Sequence, residues 1–258
     1  MSALWAGCTR GFLRALGARG DLITRLVFFD LILVVMAALW RAALETHPSG
    51  IAGYDFSALM WYVVGAQAAV LGVRPRTIEE VGDEIGGGAV AIAMLRPASV
   101  VGMRMSIEIG EAMARLLGAW LAGAPVAFLF AGAPHSWALA ALAVLSTALA
   151  VVANIAAQHA FGGIAFWLMD AKSAWLVFQK LVFLPGGMLI PLELLPGGLA
   201  AWCRALPFAS MAYAPGRIAA GNGGAEIMAG QLFWVAALIA LALVVFRAGE
   251  RRLQVVGG

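Results

Sequence analysis

The sequence predicts an all-α, polytopic membrane protein with six transmembrane helices. Three observations carry that expectation. Of the 258 residues, 63% are hydrophobic and 12% are charged, about half the charged share of a soluble domain. Mean hydropathy is +0.92. The apolar residues also gather in runs close to the roughly 20 residues that one hydrocarbon crossing needs. A soluble globule could not keep so much apolar surface from water. A soluble enzyme, a disordered chain and a nucleic-acid-binding module are therefore disfavoured. The net charge is only +3, so the basic balance is read through where the charges sit. A single transmembrane domain over 1–258, without internal repeats, accounts for the chain.

Residues 2–19 read as an amphipathic interfacial helix. Trp5, Cys8, Phe12 and Leu16 recur at helical spacing, and Arg10 and Arg14 fall on another face. The first span covers about 22–43. It contains Asp30 and outruns a signal-peptide core, so it is expected to be retained. A turn at Thr46-His47-Pro48-Ser49-Gly50 leads to the second span, about 54–73. The third span ends near Phe130, and the fourth begins at Trp137. From Trp137 to Met169 no Asp, Glu, Lys or Arg occurs over 33 residues. That is about 50 Å of helix, too long for one straight crossing. It must tilt, bend at Gly162-Gly163, or run beyond the bilayer. The fifth span covers about 173–195 and the sixth about 230–247. With both termini in the cytoplasm, 13 of the 17 Lys and Arg residues lie on the cytoplasmic side. Cys8 and Cys203 then sit on opposite sides and cannot pair.

Three segments carry polar chemistry. The first is a cytoplasmic helix over 77–97. Ile78, Val81 and Ile85 share one face while Glu79, Glu80, Asp83 and Glu84 lie elsewhere, and Thr77 with Glu80 forms a capping box. It reads equally as a solvated connector or as a docking helix for a cytoplasmic partner. The second is the start of the third span. Arg104, Glu108, Glu111 and Arg115 step by 4, 3 and 4, so Arg104–Glu108 and Glu111–Arg115 pair within the helix. Four unpaired charges at membrane depth would cost on the order of 10 kcal/mol. An ion-paired cap at the cytoplasmic end is slightly favoured over a substrate site. The third is Leu184 to Pro196, where Pro185, Gly186, Gly187, Pro191 and Pro196 interrupt a short apolar run. Irregular backbone at membrane depth must be buried in protein or line a cavity. It marks either a transport path or a structural hairpin. Residues 197–228 read as short outer helices and turns in the interface, so 181–228 forms one re-entrant outer region. Asn154, Gln158, Met188, Pro191, Glu193 and Phe208 join Glu108, Glu111 and Arg115 as translocation-path candidates.

Other chemistry is missing from the sequence. Lys172-Ser173 lacks the glycines of a P-loop. His47, His135 and His159 are scattered, and no catalytic or metal-ligating constellation is visible.

These residues resemble a known family, the small six-helix permeases of the ABC-2 export class, whose ATPase is a separate polypeptide. The matching pattern is Gly187, Ile190-Pro191-Leu192, Pro196, Leu206-Pro207-Phe208, Tyr213-Ala214-Pro215 and Gly221. Glu84-Ile85 with Met94-Leu95-Arg96-Pro97, Phe166-Trp167, and the tail from Arg251-Arg252 to Gly257-Gly258 extend it. Gly86-Gly87-Gly88 departs from it where the family often carries a charged pair. The resemblance implies a translocation path formed with a second permease subunit, identical or related. It also implies two cytoplasmic ATPases that carry ATP and magnesium, with no cofactor on this chain. Thr77, Glu79, Glu80, Asp83, Glu84 and Ile85 become ATPase-coupling residues. The expected setting is the bacterial inner membrane, with lipid around the chain and no nucleic acid. The expected role is efflux of a hydrophobic, amphipathic or cationic small molecule, such as the viologens associated with one branch. An ion-coupled secondary transporter is the principal alternative, and a membrane-embedded enzyme a lesser one.

Overall fold

The computed structural model describes residues 3–47, 49–93, 99–168 and 171–256, and its regular elements are all helices, with no strand among the described residues. In chain order, α1 spans Ala3–Gly17, α2 Arg19–Glu45, α3 Phe56–Gly72, α4 Thr77–Gly86 and α5 Ala89–Ala93. Then follow α6 Val100–Ala131, α7 Trp137–Gly162, α8 Ala171–Phe183, α9 Gly197–Ala205, α10 Tyr213–Ala219 and α11 Ala225–Val256. Short 3₁₀ turns lie at Gly163–Phe166, Leu192–Leu194 and Pro207–Ser210. Polar residues begin the long helices. Asp55 accepts from the Ala58 N–H at 2.8 Å, Ser99 from Gly102 at 3.2 Å and Ser136 from Leu139 at 3.3 Å.

Five helical stretches among the described residues are long and apolar enough to cross a membrane: Arg19–Glu45, Phe56–Gly86, Val100–Ala131, Trp137–Phe166 and Ala225–Arg252. The expected fifth crossing, at 173–195, is not a regular helix. α8 has 13 residues, about 20 Å at 1.5 Å each, against a hydrocarbon core of about 30 Å. Beyond Phe183 the chain turns irregularly, and Gly187 adopts the left-handed conformation with φ +70. The long fourth crossing changes from α-helix to a 3₁₀ turn at Gly163.

α3 is the axis of the bundle. It is apolar on every face and buried along nearly its whole length, as an internal helix must be. α2, α6, α7 and α10 pack around it. Small residues set these spacings: a Cβ added at Gly65 would meet the Pro215 carbonyl at 2.6 Å. That approach corrects the expectation that 197–228 lies in the interface. α9 does present Trp202 and Leu199 outward, but α10 is tucked in with Tyr213, Ala214, Pro215, Gly216, Ile218 and Ala219 all buried.

α1 also departs from expectation. The helix forms where expected, but it docks through its small residues Gly7, Gly11 and Ala15. A Cβ at Gly11 would lie 2.0 Å from the Ile107 carbonyl oxygen, and one at Gly110 would lie 1.9 Å from that of Cys8. The helices α1 and α6 therefore cross backbone against backbone, the geometry that small-x-x-x-small spacing permits. Trp5, Leu13 and Leu16 are left facing outward.

Candidate translocation cavity and coupling helix

The acidic helix α4 is amphipathic as its spacing implies. Ile78, Val81 and Ile85 are buried against α7, α8 and the Gly163–Phe166 turn. The capping box is not made. The N-cap is Arg76, without a side-chain cap. Thr77 is fully buried, and its hydroxyl donates to Glu108 Oε2 at 3.3 Å. The helix breaks at Gly87-Gly88, and α5 continues to Ala93; Met94-Leu95-Arg96-Pro97 lies outside the described residues.

Only one of the two intrahelical pairs expected in α6 forms. Arg115 donates to Glu111 Oε2 at 3.2 Å. Arg104 instead pairs with Glu84 on α4, its Nη2 donating to Oε1 at 2.8 Å. Side chains bridge α4 and α6 here, so Glu84, 44% exposed, meets Arg104, while Glu108 is buried against Thr77. Glu108 faces Thr77 and the Nε2 of His159, 3.6 Å away. His159 is fully buried, and its Nδ1 lies 2.9 Å from the Ile155 carbonyl.

Arg74 is the residue that sequence reasoning passed over. It follows α3, and its Nε and Nη2 donate to the two oxygens of Glu111, both at 2.7 Å. Its Nη1 reaches Glu80 on α4 at 3.3 Å. One guanidinium thus ties α4 to the third crossing. Arg14 of α1 approaches the same Glu111 at 3.7 Å. The signal available in the sequence was Arg74-Pro75-Arg76 between an apolar span and an acidic helix; nothing local showed which carboxylate it would meet.

A cavity of about 290 Å³ opens between α2, α3, α7 and α8. Phe28, Phe29, Trp175, Phe178, Phe183 and Met188 form much of its apolar wall. Four amides, Gln67, Asn154, Gln158 and Gln179, enter the same space, with Arg25 and Arg74 also lining it. Gln158 donates to Asn154 Oδ1 at 2.8 Å, while its own Oε1 is buried without a hydrogen-bond partner. Gln67 donates to the Met188 carbonyl at 3.4 Å. The Tyr62 hydroxyl contacts the Gly187 carbonyl and lies 3.3 Å from that of Ile190. α3 therefore satisfies the carbonyls of the irregular segment, which explains how a broken backbone persists beside a cavity.

The translocation-path candidates divide. Asn154, Gln158 and Met188 line this cavity. Phe208 backs its wall, with its ring 6.1 Å from that of Phe178, and Pro191 is buried before the Leu192–Leu194 turn. Glu108, Glu111 and Arg115 belong to the ion-paired network on α6. Glu193 lies at the opposite end of the bundle, where it accepts from Tyr54 at 3.2 Å and Tyr213 at 2.5 Å and faces Arg217 at 3.5 Å. Burial, with Glu193 beside it, raises the Tyr54 phenol above its ordinary range, and burial with the Glu193 hydrogen bond pushes Tyr213 up to about 12. No carboxylate lines the cavity among the described residues.

The family model of the ABC-2 family transporter protein matches residues 31–257. The chain belongs to the ABC-2 transporter family. No curated protein matches it. Membership makes this chain the membrane-spanning subunit of an ABC transporter, a class that works with an ABC ATPase subunit. The family match begins inside α2, so the docked α1 lies outside it.

Proposed function

We propose that this ABC-2 permease exports an amphipathic small molecule through the cavity between α2, α3, α7 and α8, with α4 receiving the ATPase stroke. The cavity carries the reading. It joins aromatic walls to a row of amides, and Gln158 offers an acceptor with no protein partner. A buried polar atom without a partner is costly, and a ligand hydrogen bond would remove that cost. Aromatic faces also attract cations, so viologen-like solutes fit the walls. Glu108, Glu111 and Glu193 are engaged elsewhere and are not assigned to neutralise them.

In this reading ATP and magnesium stay in two cytoplasmic subunits, and a second permease copy or paralogue completes the path. α4 presents Asp83 outward without an ion-pair partner among the described residues. Beside it, Gly82, Gly86, Ala165 and Ala171 leave a hollow of about 260 Å³. Movement of α4 would pass through Arg74 and the Arg104–Glu84 pair into α6. The membrane is the bacterial inner membrane, with both termini cytoplasmic.

The test is to co-express the chain with its genomic neighbours, purify the assembly, and measure ATPase activity with amphipathic dyes in proteoliposomes. Dye-stimulated hydrolysis that Gln158→Leu weakens several-fold supports the cavity. Asp83→Lys is expected to lower co-purification of the ATPase while leaving the permease folded. Transport that follows an imposed ion gradient, with no ATPase in the assembly, would overturn the proposal in favour of ion coupling.

A further inference from the structure

A second hollow, of about 340 Å³, lies where α1 meets the start of α2, beside the segment after α3 and the flank of α6. Its lining is dominated by Arg14, Arg25, Arg74, Arg76 and Arg115. Three carboxylates face them, Asp21, Glu80 and Glu111, so the site carries surplus positive charge. The pairing is uneven. Arg74 and Arg115 are closely bound to Glu111, and Arg25 to Asp21 at 2.9 Å. Arg14 and Arg76 are loosely held: their carboxylate partners are 3.7 and 3.8 Å away, and their side chains are 72% and 75% exposed. Two guanidinium groups are thus available at the rim while the floor is already charged and fixed.

We infer that this hollow binds the phosphate headgroup of an anionic phospholipid from the cytoplasmic leaflet. Apolar surface stands beside the charge: Leu13 and Leu16 on α1 and Ile23 on α2 are exposed and would meet acyl chains. Basic pockets between membrane helices on the cytoplasmic side hold such headgroups. Guanidinium groups match phosphate geometry better than ammonium groups do. The inference rests on the cytoplasmic orientation of α1, and it requires neither an ATPase nor a transported solute. Its outcome is therefore separable from that of the export reading.

The experiment uses the purified full-length chain in detergent and adds phosphatidylglycerol, phosphatidylcholine or inorganic phosphate. Phosphatidylglycerol at tenfold over its Kd is expected to raise the unfolding temperature by about 3–6 °C, and the other two by much less. In native mass spectrometry, the Arg14→Gln/Arg76→Gln variant is expected to bind phosphatidylglycerol roughly 30-fold more weakly, at about 1 kcal/mol for each arginine. Its unfolding temperature without lipid stays near that of the parent, because both side chains are mostly exposed. Lys172→Gln/Arg251→Gln, which removes two charges elsewhere, is expected to retain the affinity. Equal effects of the two lipids, or undiminished binding by the double variant, overturn the site. An equal shift with inorganic phosphate makes it a free-anion site and overturns the lipid assignment.

Discussion

Replacing Arg74 with alanine removes two 2.7 Å hydrogen bonds to Glu111, a carboxylate whose side chain is 2% exposed. Stripping one partner from a buried ion pair costs about 3–5 kcal/mol. The lower figure applies here, because Arg115 at 3.2 Å and Arg14 at 3.7 Å still face Glu111. The lost contact to Glu80 adds little, since that side chain is 45% exposed and solvent screens it. At about 2–4 °C per kcal/mol for a chain of this size, thermal unfolding in detergent should fall by roughly 6–12 °C. Arg74→Lys keeps the charge but not the two-pronged geometry, and should recover about half. In a double-mutant cycle with Glu111→Ala, the coupling should lie near the upper end of the usual range of about 0.5–3 kcal/mol. An Arg74→Ala protein that unfolds with the parent, or a coupling near zero, would refute the argument that this guanidinium holds α3, α4 and α6 together.

Other outcomes follow from the same structure. Gly110→Ala gains up to about 1 kcal/mol of helix propensity but drives a methyl into the Cys8 carbonyl, an overpacking cost of about 1–3 kcal/mol. α1 should detach and become protease-sensitive while the other helices stay folded, which limited proteolysis reads directly. The three tyrosines of the chain, Tyr54, Tyr62 and Tyr213, form one cluster with successive rings 6.2 and 6.5 Å apart. Because Tyr54 and Tyr213 are raised in the fold, their contribution to stability is complete below pH 10. For Tyr213 it is lost as pH rises through about 12, and for Tyr54 at still higher pH. Tyrosinate absorbance should lag that of free tyrosine across this window, and Glu193→Gln should narrow the lag. Glu84→Gln should weaken ATP-driven transport more than ATPase binding, because Glu84 faces Arg104 inside the chain; transport and co-purification measured together decide this.

The membrane class, the long crossings and the amphipathic face of α4 were legible because each depends on composition or local spacing. Ile78, Val81 and Ile85 could be placed from spacing alone, since a helix fixes which of its residues share a side. The partners across elements were not legible. Arg104 and Glu108 stand at i, i+4, yet Arg104 finds Glu84 on a neighbouring helix. Thr77 has the type and position for capping, yet its hydroxyl goes to Glu108 because burial left that carboxylate in need of donors. At α1 the eye follows Trp5 and Phe12, whereas contact is made through Gly7, Gly11 and Ala15. In a bilayer, large apolar residues gain little by turning inward, and small ones gain close packing. Asn154, Gln158 and Met188, named from the sequence, line the cavity, but nothing in the sequence grouped them with Gln67, Gln179 and Arg74.

The crossing of α1 on α6 also has a consequence for how the chain is made. Gly11 leaves the ribosome about 100 positions before Gly110, its docking surface. At about 5–20 residues per second this interval is roughly 5–20 s. During that time α1 has no α6 to rest on, and its small-residue face has nothing to bury. Its outer face, with Trp5, Leu13 and Leu16 beside Arg10 and Arg14, suits it to wait on the membrane surface. One side of the helix thus docks it in the finished protein, while the other already lets the nascent helix rest on the bilayer.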